Sequence, residues 1–349
     1  MKDLGQPGWT CDVGVMKKSK TVPTSIHSLR PADIDVVGAI GDSLTAGNGA
    51  GAHPDDPVAV LIQYRGLTFA VGGDKTLDEH ITVANVLKRF NADLARLNVG
   101  IPGAHSGAML EQAKDIVMRM REHPEIDFDN HWKAIFLFIG GNDMCSWCKS
   151  QDNVNNPEKS ASEYRDNIKK AVQYLHDNSP RTIVVMTGMI DLALLRRVDP
   201  NQEFCQFLHT FECGCEMNKN VTDAVITAES KLFMKRQQEL QDSGIFDDKD
   251  DFTLLTAPYF EAMTDVARNP DGSPQLEFFS PDCFHFSAYG HAVVGKYLWN
   301  NMMQPVGSQM VANLTAGPTT PLLCPDASCP FVRTTKNSKD CSKYMTPSE

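Results

Sequence analysis

Four short apolar runs, each closed by turn-forming residues, constrain this chain more than any other feature: Ile34 to Ile40, Trp132 to Ile139, Thr182 to Ile190 and Phe252 to Ala257. Runs of this length, rich in Val, Ile and Phe, suit strands buried on both faces, which belong to mostly parallel sheets. Between them the apolar spacing becomes helical. Leu110, Ala113, Val117 and Met120 recur at three and four residues, as do Tyr164, Ile168, Ala171 and Leu175, the second set opened by a capping box from Ser160 to Glu163. A last helix is predicted from about Ser287 to Met302. Strands alternating with helices demand right-handed crossovers, so the predicted fold is α/β, a three-layer α/β/α sandwich around a mostly parallel central sheet. In such a sheet the active site is expected at the carboxyl ends of the strands.

The chain has 349 residues, 42% hydrophobic and 22% charged, enough to build one large core with appendages. Residues 1–33 read as a polar arm packed on the core, 34–305 as the main domain, 198–220 as a cross-linked insertion holding Cys205, Cys213 and Cys215, and 306–349 as a cysteine-containing tail. A net charge of -11 argues against nucleic acid and against electrostatic docking on anionic membranes, so any lipid contact must be largely apolar. Ten cysteines, with sequons at Asn220 and Asn313, point to an oxidising compartment and a glycoprotein. The expected location is therefore secreted or on the extracellular face of a membrane, although the first residues carry no apolar signal core and no segment reaches the roughly 18 apolar residues of a span. A monomer is expected.

Ser43, in Gly41-Asp42-Ser43-Leu44, directly follows the first run and is followed by the small residues Thr45, Ala46 and Gly47. That places its hydroxyl at a strand-to-helix turn, exposed at the carboxyl edge of the sheet, where backbone N–H groups face an anion. An N-cap serine would look the same. Asp282 and His285, in Ser280-Pro281-Asp282-Cys283-Phe284-His285, supply a carboxylate three residues before an imidazole, the spacing at which one loop orients a general base. Alone, that pair would equally suit a surface ion pair or metal ligands. His291 is a rival base, but it sits inside the predicted last helix with no carboxylate nearby in sequence. Two segments offer oxyanion donors: Asn98 to Gly103, ending in a glycine with an unobstructed backbone N–H, and Gly140-Gly141-Asn142-Asp143, whose Asn142 amide faces the same cleft as Ser43. Turn formation explains either one singly. The ordered set of serine, glycine, asparagine and then Asp-x-x-His is what outweighs these simpler explanations.

With these blocks the chain resembles the SGNH (GDSL) hydrolase superfamily, named for residues that match Ser43, Gly103, Asn142 and His285. The resemblance implies a flavodoxin-like α/β/α fold, a catalytic triad of Ser43, Asp282 and His285, and an oxyanion hole from the Ser43 and Gly103 N–H groups and the Asn142 side chain. Within the superfamily the chain is most similar to the animal phospholipase B family, through Leu29 to Ile34, Gly41 to Gly51, Tyr64 to Leu67, Leu137 to Asp143, Pro281 to Ser287 and Leu298 to Met302. What this implies is hydrolysis of fatty-acyl esters of glycerophospholipids and lysophospholipids at a lipid interface. A general esterase or lipase on neutral or non-lipid esters and a catalytically inactive lipid-binding module are the alternatives.

Other motifs fall away. Thr45 breaks the Gly-x-Ser-x-Gly of α/β-hydrolases, and Gly47-Asn48-Gly49-Ala50-Gly51 lacks the Lys-Ser/Thr of a phosphate loop, so no cofactor and no metal are expected. Cys145-Ser146-Trp147-Cys148 has no second pair at zinc-site spacing, which leaves structural disulfides as its simpler role. Spacing cannot choose among the many pairings of ten cysteines, but a bridge from Cys283 would tether the loop that carries Asp282 and His285.

Overall fold

A computed structural model describes residues 2–198 and 203–345; positions 199 to 202 of the expected insertion lie outside the described residues. Strands β1 (Ile34–Gly41), β2 (Ala95–Asn98), β3 (Trp132–Phe138), β4 (Thr182–Thr187) and β5 (Phe252–Ala257) form one parallel sheet in the order β2-β1-β3-β4-β5. Every residue of β3, β4 and β5 is buried, which is why these segments are mostly apolar, with Lys133 of β3 and the threonines of β4 and β5 as buried exceptions. The order turns back at β1, so connections leaving β1 and β3 part to opposite sides and open a crevice beyond their carboxyl ends.

The helices that matter for the site are α1 (Ser43–Ala46), α2 (Met109–Glu122), α3 (Gly141–Ser146), α4 (Pro157–Asn178), α5 (Glu203–Glu212), α6 (Asp223–Asp242) and α7 (Ala288–Met303). Alternate strand residues feed two cores. Val36, Ile135, Leu137 and Val184 pack with Ile116 of α2, Ile168 of α4 and Phe233 of α6. On the other face Val37, Phe136, Ile183 and Leu255 pack with Val294, Leu298 and Met302 of α7. The result is the three-layer α/β/α sandwich.

α7 is buried along its whole length, because the chain after it returns over its outer side. Trp299 Nε1 donates to the Leu323 carbonyl at 2.7 Å and Asn300 Nδ2 to that of Pro321 at 2.9 Å. The two terminal segments are joined by Cys11–Cys324 and by Val332 N–H donating to the Leu29 carbonyl at 2.8 Å.

Several boundaries differ from those the sequence suggests. β3 and β4 stop at Phe138 and Thr187, short of Ile139 and Ile190, and the last helix spans Ala288–Met303. The expected capping box is absent: α4 begins at Pro157, whose fixed φ suits a first helical position, and the Ser160 hydroxyl bonds the Pro157 carbonyl and Glu229.

Candidate active site

β1 delivers its last residues into a turn with little freedom. Gly41 has φ +156°, and a Cβ there would lie 2.2 Å from the Phe138 carbonyl oxygen, so no other residue lets the strand close this tightly on β3. Its backbone is clamped on both sides by Gln112 of α2, which accepts from the Gly41 N–H and donates to the Gly41 carbonyl at 2.8 Å each. Asp42 caps α1 by accepting from the Leu44 N–H at 3.0 Å, and burial lifts its carboxyl to about 6. Ser43 is the first residue of α1. It is 8% exposed, so the nucleophile candidate is not the exposed hydroxyl that the motif suggests but one recessed in the crevice.

Ser43 Oγ lies 2.8 Å from His285 Nε2, and His285 Nδ1 lies 2.6 Å from Asp282 Oδ2. With the Nδ1 proton donated to the carboxylate, Nε2 is left to accept from the serine hydroxyl. The other Asp282 oxygen accepts the backbone N–H groups of Phe284 and His285, both at 3.0 Å. Burial alone would raise the Asp282 carboxyl; the adjacent His285 charge and these hydrogen bonds hold it below its ordinary value. For His285 the balance is reversed: burial favours the neutral ring, but Asp282, with smaller help from Glu212 and Asp42, raises its pKa.

The loop carrying both residues is under backbone strain at Cys283, a non-glycine residue at φ +59°. Cys283 is bonded to Cys205 of α5, across 78 residues. Replacing Cys205 and Cys283 together by serine should lower stability by about 4 kcal/mol, from the loop entropy released in the unfolded chain, and should also reduce turnover. Denaturant melts and ester hydrolysis measure the two effects; no change in either would mean the bridge does not tether this loop.

Gly103 and Asn142 are linked through a neighbouring residue. Asn142 Nδ2 donates to the Ala104 carbonyl at 2.9 Å, and Asp143 accepts from both the N–H and the hydroxyl of Ser106, at 2.9 and 2.6 Å. The Gly-Asn-Asp turn at the start of α3 thus holds the 103–106 loop. Ile101 N–H donates to the Gly41 carbonyl at 3.0 Å, tying the same loop to the end of β1. Gly103 itself has φ +74° and open space where a Cβ would stand.

Asp42, Ser43, Gly141 and Asn142 share one cleft whose remaining wall is apolar: Leu44, Met189, Leu192, Leu194, Leu195, Val198, Met263, Val266, Phe278, Phe284 and Phe286 among others. Gly103 is not in that wall. His291 does not take that place: its Nδ1 accepts from the Phe69 N–H at 3.3 Å, its Nε2 is buried without a partner, and burial pushes its pKa down to about 3. Among the described residues one group has the types and proximity to hold a cation, Glu212, Asp282 and His285, with candidate atoms within 4.8 Å of one another. The Asp282–His285 hydrogen bond already engages Nδ1 of that ring. The remaining cysteines pair as Cys145–Cys213, Cys148–Cys215 and Cys329–Cys341, so Cys145 and Cys148 belong to separate disulfides. Five cross-links fit an oxidising compartment. No described helix is long and apolar enough to cross a membrane.

The functional neighbours that the sequence left unread are Gln112 and Ser106, with Glu212 and His209 of α5. None stands in a motif of its own. They meet the site through tertiary hydrogen bonds and disulfide pairing.

The family model for GDSL-like lipases and acylhydrolases matches residues 37–298, a stretch that includes all five candidate residues, and the chain belongs to this family. It is 38% identical over 339 residues to membrane-associated phospholipase B1 of Rattus norvegicus and to the same protein of Homo sapiens, covering 92% of this chain and 23% of each relative. It therefore spans under a quarter of the length of these curated relatives. Among solved structures, phospholipase A1 from Streptomyces albidoflavus is 15% identical with a TM-score of 0.40, covering 75% of this chain and 97% of that one, a likeness too slight to bear on activity.

Proposed function

We propose that this chain is a serine-dependent ester hydrolase of phospholipase B type, releasing fatty acids from glycerophospholipids and lysophospholipids, with residues 34–305 as the hydrolase unit. The observation that carries this is the Ser43–His285–Asp282 chain of hydrogen bonds opening on an apolar cleft. His285 Nε2 takes the Ser43 proton as Oγ attacks the acyl carbonyl. Charge develops on the carbonyl oxygen, where the Ser43 and Gly103 N–H groups and the second N–H of Asn142 act as donors, each worth about 3 kcal/mol. The imidazolium, stabilised by Asp282, then protonates the departing alkoxide. Water, deprotonated by the same ring, hydrolyses the acyl-enzyme and restores the serine.

The cleft's aliphatic and aromatic wall suits an acyl chain, and the relatives named phospholipase B1 support a phospholipid as its carrier. The acidic charge favours zwitterionic over anionic lipid. Five disulfides and two exposed sequon asparagines, Asn220 and Asn313, support action at the cell exterior. Product analysis on phosphatidylcholine bearing two different acyl chains tests the substrate: both fatty acids are expected, faster than from triacylglycerol. Hydrolysis confined to short acyl esters would favour a general esterase.

A further inference from the structure

Glu212 closes α5 and takes no part in the steps above. Its carboxyl lies beside the Asp282–His285 pair, with one oxygen within 4.8 Å of a ligand-type atom of each. Glu212 Oε2 is buried and has no hydrogen-bond partner. Two cross-links flank it: Cys205 on the same helix is bonded to Cys283 in the triad loop, and the next residue, Cys213, to Cys145 of α3. His209, one turn earlier, reaches the Asp282 carbonyl oxygen through Nε2 at 2.9 Å. The insertion thus carries a carboxyl close to the catalytic base.

Such a group works against the fold. Burial, and after it the charge of Asp282, push the Glu212 carboxyl up to about 7, with His285 and His209 pulling the other way. Because the folded chain then holds this proton more tightly than the unfolded chain, stability falls as pH rises from the ordinary glutamate range to about 7. A buried carboxylate oxygen without a donor is a standing cost at neutral pH. It is sited beside the one side chain whose charge changes during acyl transfer.

We infer that Glu212 is a positioning residue for His285: a second carboxylate that, with Asp282, stabilises the imidazolium formed when Ser43 gives up its proton. This rests on the triad reading above. The charged and titratable groups facing His285 are Asp282, Glu212, Asp42 on the serine side and His291 on α7; those facing Glu212 are Asp282, His285 and His209. Asp282 fixes the ring through Nδ1. Glu212 adds negative charge without displacing that bond.

The test is an NMR titration of the His285 ring in the whole chain, wild type against Glu212→Gln, with kcat/KM for a soluble ester followed over the same pH range. Glutamine keeps the shape and removes the charge. The His285 pKa should fall by about one unit, the acid limb of kcat/KM should move to lower pH by the same amount, and the plateau should drop about tenfold. Glu212→Asp should keep most of the wild-type limb. The melting temperature of Glu212→Gln at pH 8 should equal or exceed that of wild type, since an unpartnered charge has been removed. An unmoved His285 pKa overturns the inference, and so does failure of Glu212→Gln to fold. A wild type without ester hydrolysis would instead refute the triad reading, leaving the ring titration to decide on Glu212.

Discussion

Ser43→Ala should reduce fatty-acid release from phosphatidylcholine by about a millionfold, to the level that binding and the oxyanion donors sustain without a nucleophile. The fold should survive. Ser43 is the first residue of α1, and the cap that organises this turn comes from Asp42, so removing the hydroxyl deletes its bond to His285 and no backbone support. Circular dichroism and melting should match wild type while turnover disappears. Retained activity would mean that another group attacks the ester.

Asp282→Asn should cost about four orders of magnitude in kcat, more than its distance from the ester suggests. The carboxylate has two tasks. One oxygen holds the His285 ring with its proton on Nδ1, and the other accepts two backbone N–H groups that shape the loop. An asparagine can keep the loop bonds with its carbonyl, but it then turns its NH₂ toward Nδ1. The ring answers by moving its proton to Nε2, where it can no longer accept from Ser43. Asp282 is fully buried and its carboxyl is held below its ordinary value, so lowering the pH does not mimic the substitution until strongly acid conditions. A kcat near wild type would show that ring orientation is set by something other than Asp282.

How much of this was legible in the sequence depended on whether the signal was local. β1, β3, β4 and β5 could be read because strands covered on both faces are mostly apolar. β2 could not: Ala95-Arg96-Leu97-Asn98 is four residues long, lies at the edge of the sheet and carries polar side chains. α6 was hidden for a different reason. Its buried side includes Glu229, Ser230, Gln237 and Gln241, which erases the apolar stripe. Those side chains serve as internal hydrogen-bond partners: Gln237 accepts from the Met189 N–H and donates to the Thr187 carbonyl, and Gln241 accepts from the Thr256 N–H.

The same division holds at the site. Ser43, Asn142, Asp282 and His285 stand in short motifs that each have a simpler local explanation and point to catalysis only as an ordered set, and the fold brings Ser43, Asp282 and His285 into hydrogen-bond contact. Gly103 was legible as an unobstructed N–H, but its tie to Asn142 through Ala104 is a tertiary fact. Glu212 stands in no motif of its own, and the helix that carries it is joined to the triad loop by Cys205–Cys283 and to α3 by Cys213–Cys145, pairs that no spacing rule selects.

In the proposed mechanism Ser43 carries the acyl group of a phospholipid during turnover. Acid-quenching the wild-type chain during hydrolysis of mixed-chain phosphatidylcholine, followed by mass spectrometry of its peptides, tests this directly. An acyl adduct is expected on Ser43, carrying a chain of the substrate and absent from Ser43→Ala. Fatty-acid release accompanied by an adduct on another residue, or undiminished in Ser43→Ala, would contradict it.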